Sequence, residues 1–98
     1  MDNNFSDSTL EVINPGTGKI VGKVKLTTTA QLDEMLGRSS KIFSYWKQES
    51  ISSRSLLITK FRKKLISRVD DLVNTICDET GKKSFEALLE IFTSMDHM

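Results

Sequence analysis

Cysteine and histidine each occur once in this 98-residue chain, as Cys77 and His97, and proline once, as Pro15. A lone cysteine excludes an internal disulfide and any cysteine-rich zinc site. An excess of charge of one sign is also missing: 14 Lys and Arg stand against 13 Asp and Glu, a net charge of +1. Nucleic-acid binders concentrate a strong basic excess, so nucleic acid is not an expected partner. No apolar run approaches the roughly 20 residues that cross a bilayer. The polar opening Met1-Asp2-Asn3-Asn4 lacks the pattern of a signal peptide. No membrane partner and a cytoplasmic location are therefore the expectations. What is present is ordinary: 38% hydrophobic and 28% charged residues suit a folded chain rather than a disordered one.

The chain reads as an α+β arrangement of one β-hairpin followed by three or four helices. Residues 1–8 are small and polar and are expected to be loose. Residues 9–27 form the hairpin. Leu10 to Ile13 and Lys19 to Leu26 are β-branched runs flanking Asn14-Pro15-Gly16-Thr17-Gly18, a cluster of turn formers. Residues 28–98 are helical. Thr28 and Gln31 fit a capping box, after which Leu32, Met35, Leu36, Ile42, Phe43 and Trp46 recur at helical spacing. That places Trp46 at the end of a core stripe. Ser50 and Ser52 are candidate caps for the next helix, whose stripe runs Leu57, Phe61, Leu65, Val69, Leu72, Ile76. Asp70-Asp71 looks like a fresh helix start, which predicts a break between Ser67 and Val69. Gly81 is the expected C-cap. A last helix, Ser84 to Met95, offers Phe85, Leu88, Leu89 and either Ile91 or Phe92 as its apolar face, and the sequence stops inside it without a capping glycine.

Four features invite functional readings and are better explained by structure. Gly16-x-Gly18-x-x-x-Gly22 is one residue too long for a dinucleotide fingerprint and lies between two strands, not between strand and helix. Thr80-Gly81-Lys82-Lys83 has Lys83 where a phosphate loop needs Ser or Thr, and Ile76 where it needs glycine. Lys60, Lys64 and Arg68 share a helix face that suits an acidic partner. A solvated surface opposite the Leu57–Phe61–Leu65 stripe is the plainer account. Cys77, with Asp78 and Glu79 beside it and no histidine nearby, reads as a structural cysteine.

In order and spacing, several segments resemble the first stretch of the NAD(P)-dependent aldehyde dehydrogenase superfamily. Val12-Ile13-Asn14-Pro15-Gly16-Thr17-Gly18-Lys19-Ile20-Val21-Gly22-Lys23-Val24 is similar to the family's opening hairpin. Phe43-Ser44-Tyr45-Trp46 and Ser52-Ser53-Arg54-Ser55-Leu56-Leu57 resemble a helix end and the next helix start. Asp70-Asp71-Leu72 and Glu79-Thr80-Gly81-Lys82 follow in register, then Glu86-Ala87 and Glu90-Ile91. The resemblance implies part of a larger, incomplete α/β fold, with residues 28–98 a helical segment of the cofactor-binding domain. It also implies a parent enzyme, usually homo-oligomeric, that oxidises aldehydes to carboxylic acids with NAD or NADP. The family's Asn-Phe-Pro segment, Gly-rich nucleotide loop, general base and cysteine nucleophile do not occur here. No catalytic or cofactor-binding residue is thus expected in this piece, no cofactor is expected to bind it alone, and its expected partner is the rest of the enzyme. Some family members hold a monovalent cation through residues matching Val12, Ile13 and Glu79. The competing expectation is a self-sufficient α+β binding module that uses the Lys60–Arg68 helix face.

Overall fold

The computed structural model describes residues 8–98. Strands β1 (Thr9–Ile13) and β2 (Ile20–Lys25) precede helices α1 (Thr29–Trp46), α2 (Ile51–Ser67), α3 (Val69–Thr80) and α4 (Ser84–Asp96). The expectation of a loose terminus over residues 1–8 falls outside the described residues, except at Ser8. There the hairpin reaches further than its strands, because Ser8 O accepts the Leu26 N–H at 3.0 Å. The strands are antiparallel, with Glu11 opposite Lys23 and a register shift between Val12 and Ile13. The opposed pair forms a cross-strand ion pair at 3.6 Å.

Helices α1 and α2 each begin where a hydroxyl side chain supplies the cap. The Thr28 hydroxyl accepts the Gln31 N–H at 3.2 Å while the Gln31 amide oxygen accepts the Thr28 N–H at 3.0 Å, the reciprocal box expected of this pair. Of the two serine candidates, Ser50 is the N-cap of α2, accepting the Ser53 N–H at 3.1 Å, and Ser52 lies inside the helix. The break falls at Arg68, whose φ of −119° and ψ of 20° leave the helical region between α2 and α3. Asp70 and Asp71 occupy the first turn of α3, where carboxylates favour the positive end of the helix dipole. Helix α4 runs to Asp96, with His97 as its C-cap. His97 Nδ1 sits 2.7 Å from Thr93 O.

Among the described residues the buried core consists of Ala87, Ile91 and Met95 on α4. Phe85 and Leu89 on the same helix are exposed, contrary to the apolar face expected for it, and Phe92 is exposed as well. The i, i+4, i+8 line that starts at a small alanine lets α4 approach α3 closely, and the aromatics turn outward. Packing between elements is concentrated in β1 on β2, α3 on α4 and β1 on α3. Neither α1 nor α2 buries any residue. Trp46 is half-buried rather than part of a core, because no described element covers the end of α1. The result is a slab of 47 × 45 × 16 Å with a radius of gyration of 18.0 Å; a compact chain of about 100 residues measures about 13 Å.

Candidate functional site at the hairpin turn and the α3 cap

The turn between the strands is built by Asn14. Its Oδ1 accepts the Gly16 N–H at 2.8 Å and the Thr17 N–H at 3.3 Å, and its carbonyl accepts the Gly18 N–H at 2.8 Å. Gly18 takes φ of 72°, a left-handed conformation that glycine adopts without strain. A second left-handed glycine, Gly81 at φ 72°, terminates α3 and donates its N–H to Cys77 O at 2.9 Å. Beyond the cap, Lys82 forms an ion pair with Glu90 that ties the loop to α4.

These two separately capped features meet. A Cβ built on Gly81 would lie 3.3 Å from Gly16 N and 3.5 Å from Pro15 Cγ, so the hairpin turn rests on the α3 cap backbone to backbone. The family resemblance links this region only through Val12, Ile13 and Glu79, and no local pattern predicts the direct glycine contact. The available signal was that both contact residues are glycines.

Beside this contact lies a cleft of about 110 Å³ lined by Val12, Val21, Gly22, Thr75, Asp78 and Glu79. The bulge between Val12 and Ile13 sets Val12 and Val21 on one wall. Of the expected cation residues, Val12 and Glu79 share this cleft. Ile13 follows Val12 on β1, is 51% exposed and is not part of the lining. Asp78 adds a second carboxylate that the sequence reading missed. The donor set is oxygen only, the chemistry of a hard cation. Among the described residues no three His, Cys, Asp or Glu side chains cluster as metal ligands. The cleft is also far below the ~300 Å³ at which small-molecule sites begin.

The remaining features fall where structure puts them. Gly16 and Gly18 occupy the hairpin turn and Gly22 lies in β2, so the three glycines connect strand to strand and not strand to helix as a dinucleotide fingerprint does. Cys77 is half-buried within α3. Arg68, expected on the basic face with Lys60 and Lys64, is drawn instead toward Asp71, at 3.4 Å between Nε and Oδ2. Among the described residues no helix is long and apolar enough to cross a membrane.

The sequence model of the aldehyde dehydrogenase family matches residues 3–98, hairpin and all four helices included. This chain belongs to the aldehyde dehydrogenase family. Similar proteins include one named "Putative aldehyde dehydrogenase" in Staphylococcus aureus strain MSSA476, 34% identical over 76 residues, and its counterpart in strain MW2 at the same identity. The match takes in 78% of this chain but 16% of each relative, so this aldehyde dehydrogenase chain spans a small part of its relatives' length. No solved structure matches it.

Proposed function

We propose that these residues serve as the first structural element of the cofactor-binding domain of an NAD(P)-dependent aldehyde dehydrogenase and have no turnover of their own. The observation that carries this reading is the exposure of apolar surface on every element outside the α3–α4 pair. Leu32, Met35 and Leu36 on α1, Leu57 and Phe61 on α2, and Ile20 and Val24 on β2 are each more than 40% exposed. Such continuous apolar faces belong against other parts of a fold, and the curated relatives carry most of their length outside the matched 16%.

Residues 9–27 act as the hairpin and residues 28–98 as the helical segment, with the remainder of the enzyme as partner, in a homo-oligomer in the cytoplasm. Aldehyde oxidation joins a thiolate to the carbonyl carbon, expels hydride to the nicotinamide, and hydrolyses the thioester to the acid. The nucleophile, the oxyanion donors and the nucleotide site all reside outside this segment. The Val12, Ile13 and Glu79 region contributes a monovalent cation site that fastens the hairpin to α3.

The test is transplantation. Residues 1–98 replace the matching stretch of the Staphylococcus aureus strain MSSA476 relative, and soluble folding and NAD(P)H formation from a panel of aldehydes are measured. The chimaera is expected to fold and oxidise aldehyde, and the isolated chain to produce no NAD(P)H. A chimaera that fails to fold, beside an isolated chain that melts cooperatively as a monomer, would transfer the function to the binding-module reading.

A further inference from the structure

Helix α2 holds a polar atom that these residues leave unanswered. Arg54 Nε is sealed from solvent and has no hydrogen-bond acceptor among the described residues. A sequestered guanidinium N–H without an acceptor is costly, and native folds rarely leave one unmatched. Water does not reach it. The nearby serines are engaged with each other: the Ser50 hydroxyl accepts the Ser53 N–H and donates to the Ser53 hydroxyl at 3.2 Å. The described ion pairs occupy Glu11, Glu34, Asp71 and Glu90 with other cations.

The surroundings define what answers it. At 3.6 residues per turn, Arg54 heads the line Leu57, Ile58, Phe61 and Leu65 on one side of α2. Leu57 is 49%, Ile58 38% and Phe61 51% exposed, so the guanidinium stands at the end of an uncovered apolar stripe. From Ile51 to Ser67 the helix carries Arg54, Lys60, Arg62, Lys63 and Lys64 and not one acidic residue. An apolar stripe headed by a half-buried arginine whose Nε is sealed off without an acceptor fits a segment that is itself apolar and brings one carboxylate to the second turn of α2. Arginine's fixed planar fork favours that acceptor over a point contact.

We propose that Arg54 anchors the remainder of the enzyme to this segment by pairing with a carboxylate carried on an apolar element that covers the Leu57–Phe61 stripe. Arg54 is thus a positioning residue, and the assignment rests on the reading of the chain as one element of a larger aldehyde dehydrogenase. Covering the stripe deepens the desolvation of the guanidinium, so the pair forms only when the acceptor arrives with the apolar surface. A covering element without a carboxylate would bury the cation alone, which is strongly unfavourable. The same contact therefore supplies both attachment and register.

The test uses the chimaera described above with Arg54→Met, Arg54→Lys and, as a control on the opposite side of α2, Lys63→Met. Arg54→Met is expected to lower the thermal midpoint by about 3 °C or more, since it strands a buried carboxylate. Arg54→Lys should recover part of the loss and Lys63→Met should change little. In the isolated chain, where no carboxylate has arrived, Arg54→Met should leave helix content by circular dichroism unchanged or raise it. Arg54→Met matching Lys63→Met in a folded chimaera overturns the anchor while leaving the proposed function standing. A parent chimaera that does not fold overturns both, because there is then no assembly for Arg54 to join. A loss of equal size from Arg54→Met in the isolated chain also overturns the anchor, showing that Arg54 acts within these 98 residues.

Discussion

Gly81 and Gly16 touch through their backbones: a Cβ at Gly81 would stand 3.3 Å from Gly16 N and 3.6 Å from Gly16 Cα. The contact joins the α3 cap to the hairpin turn, two features more than sixty positions apart in the chain. Gly81 is doubly constrained, by φ of 72° and by this neighbour. The left-handed conformation alone costs a non-glycine residue roughly 1–2 kcal/mol, and the backbone of Gly16 cannot swing away as a side chain would. Gly81→Ala should therefore loosen both the end of α3 and the hairpin, seen as faster amide exchange at Gly81 and at Gly18. Gly37→Ala is the matched contrast. It lies inside α1 with nothing within 4 Å of a new Cβ, and should stabilise that helix by about 1 kcal/mol. Unchanged amide exchange at Gly18 in Gly81→Ala would show that the turn and cap do not bear on one another.

Thr28 and Gln31 satisfy one another's backbone donors at the start of α1. Thr28→Ala removes the hydroxyl that accepts the Gln31 backbone N–H and leaves that donor orphaned, while the Gln31 side chain can still accept the N–H of residue 28. The expected loss is about 1 kcal/mol of helix stability, read as lower helix content by circular dichroism and faster exchange at the Gln31 amide. Thr28→Ser should retain most of the cap. Because α1 buries no residue, tertiary packing will not mask the change, and an unaltered spectrum would mean the cap contributes nothing.

The parts legible in the sequence are those fixed by neighbours along the chain. The Asn14–Gly18 turn, the Thr28–Gln31 box, the Arg68 break and the Gly81 cap each need only a few consecutive residues of the right chemistry. The parts that escaped are decided by surfaces. Trp46 and the α1 stripe have helical spacing, yet spacing shows only which side is apolar and not whether anything covers it. On α4 the periodicity allowed several faces, and the fit of Ala87 against α3 selected one that avoids Phe85 and Leu89. At the candidate site, Val12 and Glu79 are residues that the family resemblance names, whereas Asp78 and the Gly16–Gly81 contact depend on how β1 meets α3, a relation no local pattern encodes.

An open slab with uncovered stripes has a distinct signature in solution. Small-angle scattering of the dilute isolated chain should give a radius of gyration near the 18.0 Å of this fold, well above the ~13 Å of a compact domain of this length. An apolar dye should bind strongly, and unfolding should be broad, because α1 and α2 share little with the α3–α4 pair. Covering the stripes in the chimaera should abolish the dye signal. A radius near 13 Å with a sharp monomeric melt would mean that the chain finds a compact arrangement of its own.

The cleft between β1 and α3 makes the last prediction. Asp78 and Glu79 both line a space of about 110 Å³, and oxygen donors select hard cations over softer metals. A monovalent ion there would bridge the hairpin to α3 and damp the repulsion between the acids. Sodium or potassium chloride should then raise the thermal midpoint of the chimaera more than choline chloride at the same ionic strength, since choline is too large for the cleft. Matching ionic strength separates site occupation from general screening. Glu79→Gln keeps the shape but removes one charge, and should erase most of the difference between the salts; Glu86→Gln, on α4 and outside the cleft, should preserve it. Identical midpoints in all three salts would leave Glu79 a solvated residue at the end of its helix.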